Sequence, residues 1–205
     1  MMKKILSTVL LVLALGCNTK NESTNSLNDK KETETTTSSI KNIKPVNPCE
    51  LFNAEQLATF FDIADASTIE MYARNQYGTK KQCQFIWPEE KGSVAGSQIM
   101  IDITSKTEDM GATFSRMLEL DLLNGLSARE NGQTIIIKPT LLEGFGEFAY
   151  HWEQPGFQNV QKIAFQVRND YRVDIMYNAY GAINASAAMI KNKLSEIGKQ
   201  IKQNL

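Results

Sequence analysis

Residues 18–46 form a long polar tract that cannot contribute to a hydrophobic core. The tract is rich in Ser, Thr, Asn, Lys and Glu and holds few large apolar side chains. A segment of this composition cannot bury enough apolar surface to offset the entropy that ordering would cost. We therefore expect a disordered tether over 17–46 and one globular domain over 47–205, which is long enough to build a single core.

The charge of the foldable part excludes few functions but does not favour nucleic acid. Within residues 45–205, 15 Lys and Arg side chains stand against 19 Asp and Glu side chains, which gives a net charge of −4. Neither the acidic nor the basic residues form a long run along the sequence. Because nucleic-acid binding relies on clustered basic side chains, we expect no nucleic-acid partner.

The first sixteen residues have the pattern of an export signal. Lys3 and Lys4 precede an uncharged apolar stretch over 5–15, which is too short to span a bilayer. Residues 13–17 read Leu-Ala-Leu-Gly-Cys. This N-terminus resembles the lipobox signal of bacterial lipoproteins, with cleavage after Gly16. The alternatives are a cleaved signal without lipid and an uncleaved anchor.

The lipobox resemblance implies a cell-envelope lipoprotein whose Cys17 carries diacylglycerol and a further acyl chain such as palmitate. Two or more acyl chains on one residue anchor a protein stably to a membrane. Asn18 follows instead of the Asp that in some bacteria retains lipoproteins in the inner membrane, so we expect the outer membrane. The tether would average about 30 Å in length and reach about 95 Å when stretched.

The periodicity of the domain predicts an α+β fold. Asn53 and Gln56 form a candidate capping box before a helix, and a long amphipathic helix is expected from about residue 184. Alternating strands are expected at 81–87, 98–104, 134–138 and 147–152, and a hairpin at 162–168 and 171–178 with a two-residue turn. A further helix is expected over 109–126. Because the strands cluster, we predict a mostly antiparallel sheet of about six strands with three main helices packed on it.

Two cysteines remain in the domain once Cys17 is lipidated. Cys49 and Cys83 are an even number of cysteines in an exported domain, where disulfides persist. We therefore expect a disulfide that joins the segment before the first helix to the first strand. Two buried thiols are the alternative. A catalytic cysteine would need a nearby base, and the single histidine is distant in sequence.

Three short motifs of the domain resemble secreted lipoprotein families of unknown function. They are the Asn47-Pro-Cys-Glu-Leu-Phe opening, the Cys83-Gln-Phe-Ile-Trp strand and the Gly144-Phe-Gly-Glu-Phe-Ala turn. The families, known mainly from actinobacteria, carry Asp-Pro-Cys-x-Leu-Leu-Thr, Cys-x-Trp and Gly-Leu-Gly-Asp-x-Ala instead. The resemblance implies a paired Cys49 and Cys83 and a PsbP-like α/β/α sandwich, and it implies no activity.

Candidate binding residues lie in the C-terminal half. Aromatic rings cluster there, and we predict a groove at Tyr150, His151, Trp152 and Phe157 if Trp152 or Phe157 is exposed. His151 and Glu153 would share one face of a strand as half of a metal site, although a rim or partly buried histidine is the more ordinary interpretation. We expect no metal, no cofactor and no catalytic residue.

Two functions therefore stay open. The first is a non-enzymatic binding or structural module for an envelope protein or small ligand. The second is an envelope hydrolase that uses carboxylates near Glu143, Glu147 and Glu153, which are close in sequence. No nucleophile or phosphate-loop motif decides between them.

Overall fold

The computed structural model describes residues 43–75, 78–90, 95–154, 160–180 and 185–205. Within these residues the fold is α+β, as predicted. Nine strands are present: β1 Glu70–Asn75, β2 Lys80–Pro88, β3 Gly96–Ser105, β4 Leu126–Glu130, β5 Gln133–Ile137, β6 Thr140–Leu141, β7 Tyr150–Gln154, β8 Val160–Val167 and β9 Tyr171–Tyr180. The helices are α1 Pro48–Leu51, α2 Ala54–Phe61, α3 Phe114–Asn124 and α4 Ala187–Asn204, with a 3-10 turn at Ala66–Thr68.

Seven strands form one antiparallel sheet in the order β1-β2-β3-β9-β8-β7-β6, and β4 pairs with β5 in a separate hairpin. Five of the six predicted strands lie in this sheet, β1 and the two-residue β6 bring it to seven, and the strand predicted at 134–138 is β5 of the separate hairpin. Among the described residues, no helix combines the length and the apolar composition needed to cross a bilayer.

Helix boundaries follow their caps. Asn53 and Gln56 form the predicted capping box at the start of α2, with both reciprocal hydrogen bonds at 2.8–2.9 Å. Helix α3 begins later than predicted because the Thr113 side chain caps it, and α4 begins at Ala187 because Ser186 caps it.

The β8–β9 hairpin forms at the predicted place, with Ile163 opposite Ile175 and Phe165 opposite Val173. Its turn is longer than predicted. Val167 pairs with Tyr171, so three residues connect the strands, and Arg168 and Asn169 both have positive φ. The amide of Asp170 closes the turn by donating to the carbonyl of Val167.

One face of the sheet carries the main core. Helices α1, α2 and α4 cover this face, which we call the α4 face. Its buried side chains are mainly alternate residues of the central strands, together with the inner stripes of the helices: Ile99, Ile101, Ile103, Ile163, Phe165, Val173, Ile175, Leu57, Ile190, Leu194, Ile197 and Ile201. Burial of these aliphatic side chains supplies the main driving force for folding.

The opposite face, which we call the α3 face, is covered over β7 and β8 by α3 and the β4–β5 hairpin. Leu118 of α3 packs there against Tyr150, Trp152 and Ala164. Over β2 and β3 the same face carries amides, and Gln84 Nε2 donates to Gln98 Oε1 at 2.9 Å.

A charged network joins α3 to the sheet on this face. Asp174 accepts from Arg172 at 2.9 and 3.0 Å and pairs with Lys162 at 2.7 Å. Arg172 also reaches Asp121 of α3 at 2.8 Å, and the Tyr150 hydroxyl donates to the same carboxylate at 3.0 Å. Burial alone would raise the pKa of Asp174, but Lys162 and Arg172 hold that pKa well below its usual value.

The described chain begins beside the end of β3. The amide of Ile43 donates to the carbonyl of Lys106 at 3.3 Å, and the Ser105 hydroxyl donates to the carbonyl of Lys44 at 3.4 Å. Val46 packs against the main core. The chain therefore lies along the domain from residue 43 onward.

Cys49 and Cys83 form the predicted disulfide, which ties α1 to the buried centre of β2. The two cysteines are 34 residues apart, and their Cα atoms are 5.2 Å apart. The bridge attaches α1 to the sheet and closes a loop of the chain that includes α2 and β1.

We expect the Cys49→Ala/Cys83→Ala variant to lose about 3–4 kcal/mol of unfolding free energy, because the bridge restricts the unfolded chain. Urea denaturation followed by tryptophan fluorescence measures this loss. Chemical reduction of the unmodified protein should give a similar loss, and a Cys17→Ser variant should give none. A change below about 1 kcal/mol in the double variant would contradict a stabilising role.

Candidate functional site

The predicted binding residues divide between the two faces of the sheet because side chains of β7 alternate. Tyr150 and Trp152 point to the α3 face, whereas His151 points to the α4 face. Tyr150 and Trp152 are 0 % and 6 % exposed, so the exposure that a groove at Trp152 requires is not present. Phe157 lies outside the described residues. A binding role for these residues stays a prediction.

His151 lies in a chain of hydrogen bonds that fixes its tautomer. Gln161 Nε2 donates to the carbonyl of Ala187 at 3.1 Å, so the amide oxygen of Gln161 faces the imidazole Nε2 at 2.9 Å. Nε2 must therefore carry the proton and donate. Burial lowers the pKa of His151, with a smaller lowering from Lys191, and the bond to Gln161 and the charge of Glu153 oppose it.

His151 and Glu153 line the same cleft, as their strand spacing predicts. Lys138, Thr140 and Lys191 line it too, beside the first turn of α4. Among the described residues, no three His, Cys, Asp or Glu side chains lie close enough together to hold a metal ion. Glu143 and Glu147 are exposed in the loop between β6 and β7, and an acid–base role for these carboxylates stays a prediction.

A second cleft, larger than the one at His151, lies where α2 ends and α4 begins. It has a volume of about 470 Å³ and opens at the end of the sheet formed by the last residues of β2 and the first of β3. Trp87 pairs with Ser97, and Ser97 pairs with Ala179, so their side chains share the α4 face. We call this site the acidic aromatic cleft.

Three aromatic rings pack together along one side of the acidic aromatic cleft, where Phe61 is half-buried and Trp87 and Tyr177 are 7 % and 1 % exposed. The ring centroids of Phe61 and Trp87 are 5.2 Å apart, and those of Phe61 and Tyr177 are 6.0 Å apart with nearly parallel planes. Trp87 and Tyr177 lie 6.5 Å apart. Each ring comes from a different element, namely the end of α2, the end of β2 and the middle of β9.

A buried pair of hydroxyls lies at the base of the cleft. Ser97 Oγ and Tyr177 Oη are 2.8 Å apart, and both residues are almost fully buried. Burial raises the pKa of Tyr177, and Glu89 raises it further against the opposing bond from Ser97, so the phenol is neutral at physiological pH. One hydroxyl donates in this bond, and the other keeps its own proton for a third partner.

Carboxylates form the rim of the acidic aromatic cleft. Asp62, Asp65, Glu89 and Glu90 line it, and its described lining includes no Lys or Arg. Asp62 is the αL C-cap of α2, and Lys193 Nζ lies 4.0 Å from its carboxylate. Lys91, which follows Glu90 in sequence, lies outside the described residues.

The acidic aromatic cleft was not predicted from the sequence. The alternation of residues 81–87 predicts an inward Trp87, and Tyr177 is one of several aromatic residues in the C-terminal half. The Trp87-Pro-Glu-Glu run at the end of a strand was the one local signal, since it places two charges directly after a buried ring. Only the tertiary fold brings Phe61 and Tyr177 to that ring.

Comparison of the chain with protein-family models, with curated proteins and with solved structures found no match in any of the three.

His151 should make the stability of the domain depend on pH. Its pKa is near 6.5 in the unfolded chain and lower in the folded protein, so the unfolded state binds the proton more readily. The stabilising effect is full above pH 6.5 and is lost as the pH falls toward the folded pKa. We expect the melting temperature to fall between pH 7.5 and 5.5.

The His151→Gln variant retains a side-chain donor for Gln161 but does not titrate. Its melting temperature should fall less over the same pH range, as measured by thermal denaturation. The chain has no other histidine to contribute in this range. Equal pH dependence in both proteins would show that His151 does not carry the effect.

Proposed function

We propose that the protein is a lipid-anchored, non-enzymatic binding module of the bacterial cell envelope, placed at the outer membrane. Cys17 would carry the lipid, and the polar tract after it would hold the domain away from the membrane surface. The lipobox-like residues 13–17 support the anchor, and the Cys49–Cys83 disulfide is typical of a protein that folds in an oxidising compartment. Remote kinship with secreted lipoproteins remains part of this proposal.

The acidic aromatic cleft is the observation that supports binding. Ligand sites are concave, mostly apolar and equipped with a few oriented polar groups. This cleft has that composition, because half-buried Phe61 and exposed Met189 give it apolar surface and the carboxylates of Asp62, Glu89 and Glu90 line its rim. The three elements that build it pack on the main core, so the cleft exists without a ligand.

The anchor has a direct test. Expressed in a bacterial host with an alkyne-bearing palmitate analogue, the protein should incorporate the label and fractionate with the outer membrane. The Cys17→Ser variant should lose both the label and the membrane association, because the acyl chains are its attachment. Labelling that survives Cys17→Ser would refute the assignment.

The cleft has a separate test that assumes no ligand class. The full chain is incubated with an extract of the envelope of its own host and examined by native mass spectrometry for a bound small molecule. Met189 is exposed on the first turn of α4 and lines the cleft, so Met189→Trp should fill the cleft and abolish the adduct.

Leu123→Trp is the matched control. Leu123 is an exposed apolar residue of α3, away from the cleft, so a tryptophan there should leave the adduct unchanged. Absence of any adduct, or an adduct that survives Met189→Trp, would contradict ligand binding in the acidic aromatic cleft.

A further inference from the structure

We propose that strand β1 is an interface through which two copies of this chain pair edge to edge. The β1 strands of the two copies would run antiparallel with Tyr72 on the twofold axis, and the two seven-stranded sheets would become one continuous sheet. Three features of β1 support the proposal: its open outer edge, the side chains that it exposes and the order of its charges.

The outer edge of β1 is open. β1 is the first strand in the order of the sheet, and it pairs only with β2. Among the described residues, no backbone hydrogen bond outside this ladder involves Glu70–Asn75. Natural proteins usually protect such an edge with Pro, Lys, a bulge or a very short strand. β1 has none of these, since it reads Glu-Met-Tyr-Ala-Arg-Asn and pairs with β2 over six residues in unbroken register.

The side chains of β1 are exposed on both faces of the sheet. Tyr72 lies opposite Gln84, whose amide is on the α3 face, so Glu70, Tyr72 and Arg74 share that face. Met71 lies on the α4 face. Met71 and Tyr72 are 46 % and 42 % exposed, although both are large and partly apolar. A strand added to this edge would cover apolar surface on both faces.

The order of the charges on β1 fits an antiparallel copy of the same strand. Glu70 lies two residues before Tyr72, and Arg74 lies two residues after it. When Tyr72 faces Tyr72 of the second copy, Glu70 of each strand lies directly opposite Arg74 of the other. Two ion pairs then flank one tyrosine pair on the α3 face. A parallel copy in register would instead place like charges side by side.

Both charged groups are available to a second copy. Among the described residues, neither Glu70 nor Arg74 forms an ion pair. They cannot pair within one copy, because four residues of strand separate them by about 13 Å. The Tyr72 hydroxyl donates to Glu70 Oε2, and the carboxylate keeps further lone pairs for an arginine. The opposite edge strand, β6, has only two residues and is too short to pair with all of β1.

Charge reversal tests the pairing. Sedimentation velocity of the full chain in maltoside detergent should show a dimer that forms as concentration rises. Glu70→Arg and Arg74→Glu should each weaken this dimer about tenfold or more, because each puts like charges opposite one another at two places. An equimolar mixture of these two variants should dimerise, and so should the double variant, since opposite charges then face each other again. Glu143→Arg, beside β6, is the matched control and should change nothing.

A cysteine on the twofold axis tests the register. In the full chain that carries Cys17→Ser, Tyr72→Cys should form an intermolecular disulfide on mild oxidation. Directly opposite residues of an antiparallel pair have Cβ atoms about 4.5–5.5 Å apart, which is close enough for a disulfide after a small shift. Asn75→Cys on the same strand should cross-link far less, because about 20 Å of strand separates residue 75 from its copy.

Three results would overturn the proposal. The first is a monomer at every concentration. The second is a dimer that Glu70→Arg leaves intact or that the mixture of reversed variants fails to restore. The third is an equal yield of cross-linking at residues 72 and 75, which would place the contact elsewhere on the chain. Circular dichroism of each variant checks that its fold is kept, as the exposure of all six β1 residues leads us to expect.

Discussion

The two-residue alternation of β9 sets the arrangement of the whole sheet. Its odd-numbered residues, such as Val173, Ile175 and Tyr177, enter the core beneath α4, while Arg172 and Asp174 on the other side bind Lys162 and α3. A slip of one residue would place Asp174 in the apolar core and turn Val173 and Ile175 out of it. Removal of one member of such a buried ion network typically costs several kcal/mol, so the register is strongly specified. Tyr177 lies in the same register, and the acidic aromatic cleft therefore depends on it.

The features that could be predicted from the sequence are those that depend on a few residues with well-defined chemistry. The capping box at Asn53, the alternating strands of the β8–β9 hairpin and the Cys49–Cys83 bridge each rest on residues whose chemistry has few alternatives. Strand β1 was missed because all of its residues are exposed and show no apolar alternation. The start of α3 was placed too early because the polar residues before Thr113 do not exclude a helix. The three-residue hairpin turn was missed because Arg168, and not only Asn169, adopts positive φ.

The acidic aromatic cleft could not be predicted because none of its parts is unusual alone. Phe61 ends a short helix, Trp87 is an inward residue of a strand, and Tyr177 is one of several aromatics on β9. The cleft arises because α2 packs on the sheet through its own buried residues, so that Phe61 at its end lies against Trp87 and Tyr177. The predicted cluster around Trp152 lacks this geometry, since that ring is buried against Leu118.

Residues 43 and 44 make their contacts at one end of β3, and the cleft lies at the other. Ile43 and Lys44 lie against Lys106 and Ser105, at the end of β3, whereas Ser97 of the cleft lies near its beginning. At about 3.3 Å per residue, the two places are separated by roughly 25 Å along the strand. The segment that leads into the domain therefore packs well away from the cleft, and Asp62, Glu89 and Glu90 at the rim of the cleft are exposed to solvent.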